Sequence, residues 1–394
     1  MRLAFQHPSP NTQHPTLVLY AFTWLFTLSA NAQLSTNADK FLGNITTGWQ
    51  HDVDYQNLKF YEMWNQLTPE NATKWDACEP QRGTFNWTGA DKSYNYAKDY
   101  QIPMKFHTLI WGSQYPQWMN SLSTEQQFAA IVEWMDAVKA RSPDLPLIDV
   151  VNEAIEGHNP APYKAALGGD GITGYDWIIK AFEMAHERWP DAILIYNDYN
   201  TFQWQKTQFI DLVRTLRNAG APIDAYGCQS HDLNEINVTT FKNSLDEIQQ
   251  ALRIPMYITE YDINIENDEQ QKQRFMEQIP LVWEADYCAG VTLWGYIYGK
   301  TWLDHSGLIR NGVERLPRHE EGSLCVYQAR LYPCVKGRAG AYPRPCDYEN
   351  QNRQQREALC QRCAHGNDDL IPLCGHLYAN IVGQLYVEGR CDSY

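Results

Sequence analysis

Two glutamates stand directly after apolar stretches of this 394-residue chain. Glu153 follows Ile148–Asn152, and Glu260 follows Met256–Thr259. Runs of this kind are typical of buried β-strands, so each carboxyl group would project from a strand end into a partly desolvated site. Cleavage of a glycosidic bond needs two such groups, one protonated to assist the leaving oxygen and one ionised to attack the anomeric carbon or activate water. The pair therefore predicts glycoside hydrolysis.

The surroundings of the two glutamates predict different roles for them. Desolvation and a nearby negative charge raise the pKa of a carboxyl group, which keeps one of the pair protonated near neutral pH. Asp262 follows Glu260 by two residues on the same side of an extended strand, and His231 is predicted on the neighbouring strand. A hydrogen-bonded, ionised Glu260 would be the nucleophile, and Glu153 the acid that later acts as base.

Short β-rich runs alternate with stretches of helical period between about residues 40 and 310, which predicts βα units and a parallel sheet. Helices are predicted at Thr124–Ala140, where Ser123 and Gln126 can form a capping box, and at Tyr175–Trp189. Eight strands predict a closed (β/α)8, or TIM, barrel of the α/β class. The predicted strands are Phe41–Thr47, Met63–Glu70, Met104–Trp111, Leu147–Ala154, Ile193–Asn200, Ile223–His231, Met256–Asn264 and Gly290–Ile297.

Nearly all of the predicted strands end in polar or aromatic residues that a buried strand would not carry. The clusters are Glu70-Asn71, His107 to Trp111, Asn152-Glu153, Asn197-Asp198, Gln229 to His231, Glu260 to Asp262, and Trp294. Any one cluster is explained by turn chemistry, but the C-terminal ends of barrel strands converge on one face. The clusters together therefore predict a single cleft. Glu156 is expected in the following loop, and Asp149 is expected to point away from the site.

Composition excludes several classes of function. The formal net charge is −15, and nucleic acid or an anionic membrane requires a Lys/Arg surface, so neither is an expected partner. Neither a Walker loop nor a Gly-x-Ser-x-Gly elbow occurs, and no Gly-x-Gly-x-x-Gly follows a strand. Histidines in the barrel region are isolated, so neither a metal nor a cofactor is expected.

The N-terminal segment has the pattern of a signal peptide. The apolar run Leu17–Leu28 precedes Ala30-Asn-Ala32, which predicts cleavage before Gln33 and export of the protein. The run is shorter than the roughly 20 residues of a spanning helix. The predicted organisation is a signal peptide at 1–32, a catalytic domain at 33–316 and a cysteine-rich segment at 317–394. We expect a secreted monomer.

From about Phe41 to Arg315 the motifs resemble those of glycoside hydrolase family 10, the (β/α)8 xylanases. They are Leu-Thr-Pro-Glu-Asn-Ala-Thr-Lys-Trp (67–75), His-Thr-Leu-Ile-Trp (107–111), Asp-Val-Val-Asn-Glu (149–153), Tyr-Asn-Asp-Tyr-Asn (196–200), Gln-Ser-His (229–231), Ile-Thr-Glu-Tyr-Asp (258–262) and Leu-Trp-Gly (293–295). The resemblance implies a retaining endo-1,4-β-xylanase that acts on xylan through a covalent intermediate, with Glu153 as acid/base and Glu260 as nucleophile.

The same resemblance implies substrate-binding roles around the pair. Asn152 would hydrogen-bond the 2-hydroxyl of the sugar at the cleavage point, His231 would orient Glu260, and Asp262 would support them. The other implied substrate-binding residues are His107 and Gln229 at that subsite, Glu70, Asn71, Lys74 and Gln114 at the next sugar toward the non-reducing end, Trp111, Trp294 and Trp302 around both, and Tyr199 on the leaving-group side.

The chain departs from the family pattern in two places. Gly112 stands where a histidine is commonest, so we expect altered subsite affinity on the glycon side without loss of catalysis. After Arg315 the likeness stops where the family has its closing helix, and seven cysteines follow. Three interpretations of this segment are open: a disulfide-rich module, a shifted reading frame, or a zinc site that uses Cys360, Cys363, Cys374 and His376.

The sequence leaves two alternatives to a xylanase open. A β-1,4-glucanase or a mixed xylanase/cellulase would place the same glutamates at the same strand ends, and the pocket near Trp294 and Trp302 would decide between them. A carbohydrate-binding barrel without turnover would be expected to have lost Glu153 or Glu260. Both glutamates are present, which favours an enzyme.

Overall fold

The structure, a computed structural model, describes residues 40–46, 52–55 and 58–309. The predicted signal peptide (1–32) and the cysteine-rich segment (317–394) lie outside these residues. The same is true of both predicted boundaries of the catalytic domain, at 33 and 316.

Parallel strands alternate with helices along the described chain. The strands are β1 (Phe41–Ile45), β2 (Leu67–Thr68), β3 (Lys105–Ile110), β4 (Leu147–Asn152), β5 (Ile193–Asp198), β6 (Ala225–Cys228), β7 (Met256–Tyr261) and β8 (Cys288–Leu293). The helices are α1 (Phe60–Met63), α2 (Trp75–Cys78), α3 (Thr88–Asp99), α4 (Thr124–Arg141), α5 (Asp176–Arg188), α6 (Lys206–Asn218), α7 (Val238–Leu252) and α8 (Asp268–Glu284). Each of the eight predicted strands overlaps an observed one.

The strands form one sheet in the order β2-β1-β8-β7-β6-β5-β4-β3, with every pair parallel. The two end strands, β2 and β3, are joined by a parallel bridge between Leu67 and Met104. The Leu67 amide also donates to the Pro103 carbonyl oxygen at 3.0 Å. The sheet therefore closes on itself, and the predicted (β/α)8 barrel is confirmed.

Helix α4 illustrates how local sequence sets an element and packing fixes it. The Ser123 side chain accepts from the Gln126 amide, while the Gln126 side chain accepts from the Ser123 amide, which is the predicted capping box. One face of the helix is buried, and Trp134 on that face donates its indole N–H to the Leu109 carbonyl oxygen at 3.0 Å. This hydrogen bond fastens α4 to β3, whose polar end belongs to the predicted cleft.

The barrel interior is arranged in layers. Phe41, Leu147, Ile195, Ala225 and Tyr257, near the N-terminal ends of their strands, form a buried apolar cluster of their own. Because side chains alternate along a strand, the residue two positions further on faces the same interior. That second layer is polar or small, and it contains Gly43, Asp149, Asn197, Gly227, Thr259 and Thr292. The polar layer forms the floor beneath the strand ends.

Asp149 belongs to this floor, so the expectation that it points away from the site is wrong. Leu147 is in the interior apolar cluster, and alternation then places Asp149 in the interior as well. Asp149 Oδ2 lies 2.5 Å from Lys105 Nζ and 2.9 Å from His107 Nδ1, and all three side chains are buried. A buried charge is tolerated only when it is paired, and Lys105 supplies the opposite charge.

Replacing Lys105 with methionine should leave the Asp149 carboxylate buried without its cation. We expect the free energy of unfolding to fall by roughly 3–5 kcal/mol, the usual cost of removing one partner of a buried pair. Urea unfolding of Lys105→Met measures it, and Lys242→Met, which breaks the exposed pair with Asp246, is the matched control. Adding Asp149→Asn should recover part of the loss, whereas strictly additive losses would contradict the pairing.

Candidate active site

The C-terminal ends of the strands bring the predicted site residues to one end of the barrel. Glu153 directly follows β4, and Glu260 is the fifth residue of β7. Both carboxyl groups are buried, with residue exposures of 8% and 4%. Such burial makes the charge state of each group depend on its few polar neighbours.

Three amide side chains connect the two glutamates. Gln229 Nε2 donates to Glu153 Oε1 at 2.9 Å and lies 3.2 Å from Asn152 Oδ1. Asn197 Nδ2 donates to the same Asn152 oxygen at 2.9 Å and to Glu260 Oε1 at 2.7 Å. The shared oxygen of Asn152 thus joins the two carboxyl groups through a continuous series of hydrogen bonds.

Glycine makes room for one of these amides. A Cβ atom on Gly227 of β6 would lie 2.4 Å from Asn197 Oδ1, and that oxygen already accepts from the Thr259 hydroxyl at 2.6 Å. The Asn197 amide is therefore oriented with its oxygen toward Thr259 and its nitrogen toward Glu260. A larger residue at position 227 would displace it.

Neutral donors surround Glu153. In addition to Gln229, the Trp111 indole donates to Oε2 at 2.9 Å and Asn159 Nδ2 donates to the same oxygen at 2.6 Å. Burial raises the pKa of Glu153, the hydrogen bond from Gln229 opposes that rise, and the charge of Glu260 adds to it. The outcome is a pKa above the usual value for a glutamate, which favours the protonated acid.

Glu260 has cationic or ionisable neighbours instead. His231 Nε2 lies 3.3 Å from Glu260 Oε2, and His107 Nδ1 lies 4.0 Å from Oε1. Burial alone would disfavour the carboxylate, but His107, His231 and Lys105 outweigh it and lower the pKa of Glu260 to about 2. The carboxylate of Glu260 is consequently the stable form.

Asp262 completes the group around Glu260. Its Oδ2 lies 2.9 Å from His231 Nδ1 and accepts from the Trp302 indole at 2.7 Å. Burial opposes a charged imidazole, yet the carboxylates of Asp262 and Glu260 raise the pKa of His231. His231 is thus held between two carboxylates. It lies three residues beyond the end of β6, whereas the sequence predicted it on the strand itself.

Lys74 organises a second cluster beside the two glutamates. Its ammonium group donates to Asn71 Oδ1 at 2.9 Å and to Gln114 Oε1 at 2.6 Å, and it lies 4.9 Å from the Trp111 ring centre. Burial raises the pKa of the neighbouring Glu70 despite the charge of Lys74. These residues are the ones predicted to hold the next sugar.

Aromatic rings border the site. Trp294 is buried with its ring edge-on to His107, whereas Trp302 is half exposed and lies edge-on to His231. Tyr199 stacks on His158 with ring centres 3.7 Å apart. Sugar rings present apolar faces, and aromatic rings bordering a polar cleft are suited to stack on them.

Several residues of the site had no role assigned from the sequence. The sequence marks Asn197 only as a member of a strand-end cluster, and no pattern marks Lys105. Asn159 lies six residues beyond Glu153, in a loop without any periodic pattern, so no sequence signal marks it. Of these three residues, only Asn197 could have been identified from the sequence, because its amide follows a buried strand run at the same end of the barrel.

Two negative findings apply to the described residues alone. Residues 40–46, 52–55 and 58–309 contain no group of three or more His, Cys, Asp or Glu side chains arranged to hold a metal ion. Over the same ranges, no helix has both the length and the apolar character needed to cross a membrane.

Known proteins resemble this chain both in sequence and in structure. Endo-1,4-beta-xylanase B of Cellvibrio japonicus is 42% identical over 279 residues, which are 71% of this chain and 44% of that protein. Endo-1,4-beta-xylanase B of Paenibacillus barcinonensis is 30% identical over 272 residues, covering 61% of this chain and 80% of that protein. The chain thus spans less than half the length of the Cellvibrio japonicus relative.

Solved structures of similar proteins share the barrel. A psychrophilic glycoside hydrolase family 10 endo-beta-1,4-xylanase matches with a TM-score of 0.61 and 29% identity, over 69% of this chain and 92% of that one. A family 10 structure from Paenibacillus barcinonensis matches with a TM-score of 0.64 and 26% identity, over 78% and 98%. The sequence model of glycosyl hydrolase family 10 matches residues 31–314. Since that match takes in most of the chain and the whole described barrel, the chain belongs to glycosyl hydrolase family 10.

Proposed function

We propose that the protein is a retaining endo-1,4-β-xylanase, in which Glu260 is the nucleophile and Glu153 is the general acid and base. The observation that carries the proposal is the opposite direction of the two pKa shifts within one hydrogen-bonded network. Burial raises the pKa of Glu153, whereas nearby cationic groups outweigh burial and lower the pKa of Glu260. A protonated acid and an ionised nucleophile can therefore coexist at the same pH.

The reaction follows from these two charge states. A Glu260 oxygen attacks the anomeric carbon while the Glu153 proton passes to the glycosidic oxygen, so the sugar becomes covalently attached to Glu260. Glu153, now ionised, removes a proton from the water that releases the sugar. Retention requires carboxyl groups about 5–5.5 Å apart, and the short series of amides through Asn152 is consistent with close spacing.

Asn152 also offers a donor to the substrate. Its Nδ2 is buried and has no hydrogen-bond partner among the described residues, while its Oδ1 is already occupied by Asn197 and Gln229. A buried donor without a partner is costly, so a sugar hydroxyl at this position would satisfy it. The 2-hydroxyl at the cleavage point fits this role because its hydrogen bonds strengthen in the transition state.

The chemistry of the site favours a neutral polysaccharide, and the similarity to two endo-1,4-beta-xylanases makes xylan the proposed one. The partly exposed Trp302 and Tyr199 provide stacking surfaces at the border of the site. We further propose that the protein is secreted, on the strength of the signal-peptide pattern at Leu17–Leu28 and Ala30–Ala32. That it is a monomer stays a prediction.

Glu260→Ala should abolish release of reducing sugar from xylan because no covalent intermediate can form. Glu153→Ala should lose about 10²–10⁴-fold on xylan and much less on an aryl xyloside whose leaving group needs no proton. Glu156→Ala, an exposed flanking carboxylate, is the control and should keep wild-type rates. Soluble cellulose assayed in parallel distinguishes a xylanase from a glucanase.

Two results would contradict the assignment. Hydrolysis that survives Glu260→Ala would remove the proposed nucleophile. A first product of inverted anomeric configuration, followed by proton NMR, would exclude the double displacement.

The pH profile tests the charge of the nucleophile. Glu260 has a lowered pKa, so its active carboxylate persists above that pKa and is lost only as the pH falls through it. His231→Asn removes a cationic neighbour of Glu260 and should raise that pKa, moving the acidic limb of kcat/KM to higher pH by roughly one unit or more. A uniform loss of activity at every pH, with both limbs in place, would show that His231 does not control the charge of Glu260.

A further inference from the structure

The loop that follows Glu153 passes unusually close to Gly112. The Gly112 amide donates to the Asn159 carbonyl oxygen at 2.9 Å. A Cβ atom on Gly112 would lie 2.3 Å from the Pro160 carbonyl oxygen and 2.4 Å from that of Asn159. Both obstacles are backbone atoms, which cannot rotate aside, so only glycine at position 112 lets the loop approach this far.

The close approach places Asn159 on the acid/base residue. The Asn159 amide N–H donates to the Glu153 carbonyl oxygen at 3.0 Å, and its side-chain Nδ2 donates to Glu153 Oε2 at 2.6 Å. The Trp111 indole donates to the same Oε2 at 2.9 Å, while Oε1 accepts from Gln229 alone among the described residues. The two carboxyl oxygens therefore have different surroundings.

A second set of contacts, with Asp198 and Tyr199, holds the same loop. His158, the residue before Asn159, lies with Nδ1 2.6 Å from Asp198 Oδ1 and stacks on Tyr199. Asp198 also accepts from the Ile155 amide at 3.2 Å, at the start of the loop. The backbone segment that carries Asn159 is thus held at both ends, although Asn159 itself is exposed to solvent.

We propose that Asn159 is a positioning residue that, together with Trp111, confines the catalytic proton of Glu153 to Oε1, and that Gly112 is the residue that admits it. A carbonyl-type oxygen has two lone pairs in the carboxyl plane, and the two donors occupy both of those on Oε2. A protonated Oε2 would keep only one such acceptor position, so it could not accept both hydrogen bonds. The proton must then be on Oε1.

The inference rests on the proposed function and specifies which oxygen of Glu153 donates the proton in the first step. The Oε1 proton passes to the glycosidic oxygen as the bond between that oxygen and the anomeric carbon breaks and Glu260 bonds to the carbon. Asn159 also donates to the carboxylate form, which opposes the effect of burial on Glu153. Without it, Glu153 would remain protonated to higher pH and would also be free to carry the proton on either oxygen.

Asn159→Ala should move the alkaline limb of kcat/KM on xylan upward by roughly half to one pH unit, because the protonated acid survives to higher pH. Gly112→Ala should give a similar shift by displacing the loop. The double variant should shift no further than either single one, since both act on the same hydrogen bond. Asn243→Ala makes the same chemical change on an exposed position of α7 and should leave both limbs in place.

A titration that needs no turnover separates this proposal from the proposed function. The carboxyl carbon of Glu153, labelled with carbon-13 and assigned with Glu153→Gln, should titrate at higher pH in folded Asn159→Ala than in the wild type. An unchanged titration would overturn the role of Asn159, and a shift absent from Gly112→Ala would overturn the role of the glycine. A wild-type chain that hydrolyses no xylan would overturn the proposed function, while the titration would still decide the role of Asn159.

Discussion

The site depends on one electrostatic constraint: two buried carboxyl groups in a shared network must hold different charges. Like charges at close range in a low-dielectric environment are costly, so the surroundings decide which group keeps its proton. Glu260 has His107, His231 and, beneath them, Lys105 as neighbours, whereas the donors to Glu153 in the described part of the chain are all neutral. The difference in pKa between the two glutamates is therefore set by the protein alone.

The barrel supports this asymmetry through its layered interior. Below the site, an apolar layer closes the N-terminal end of the barrel. Between this layer and the site lies the buried ion pair of Lys105 and Asp149, in which Lys105 is the cation. Asp149 lies against His107, which in turn faces Glu260. A single imidazole nitrogen, Nδ1 of His107, therefore lies between the charged floor and Glu260.

The sequence predicts the structural features that short local patterns determine, and it misses those that depend on contacts between distant positions. The strands, the capping box of α4 and the strand-end clusters follow from short patterns, and the barrel then brings Glu153, Glu260 and His231 together. The prediction for Asp149 is wrong because alternation over the four positions that separate it from Glu153 places both residues on the same face of the strand, the face on which Leu147 also lies. Asn159 could not be predicted at all, since its place is set by a contact with Gly112, nearly fifty positions away.

At Gly112 the chain departs from the family pattern, and the effect of this departure depends on which part of the chain fills the space of the missing histidine side chain. The family resemblance implies that a histidine is replaced here and that the affinity for the sugar on the glycon side is altered, and this change of affinity stays a prediction. The structure shows a backbone loop in contact with Gly112 and an asparagine amide on Glu153. The absence of a side chain at Gly112 thus allows the Asn159 amide to reach Glu153 from the loop after β4, so positions 112 and 159 should be treated as one unit.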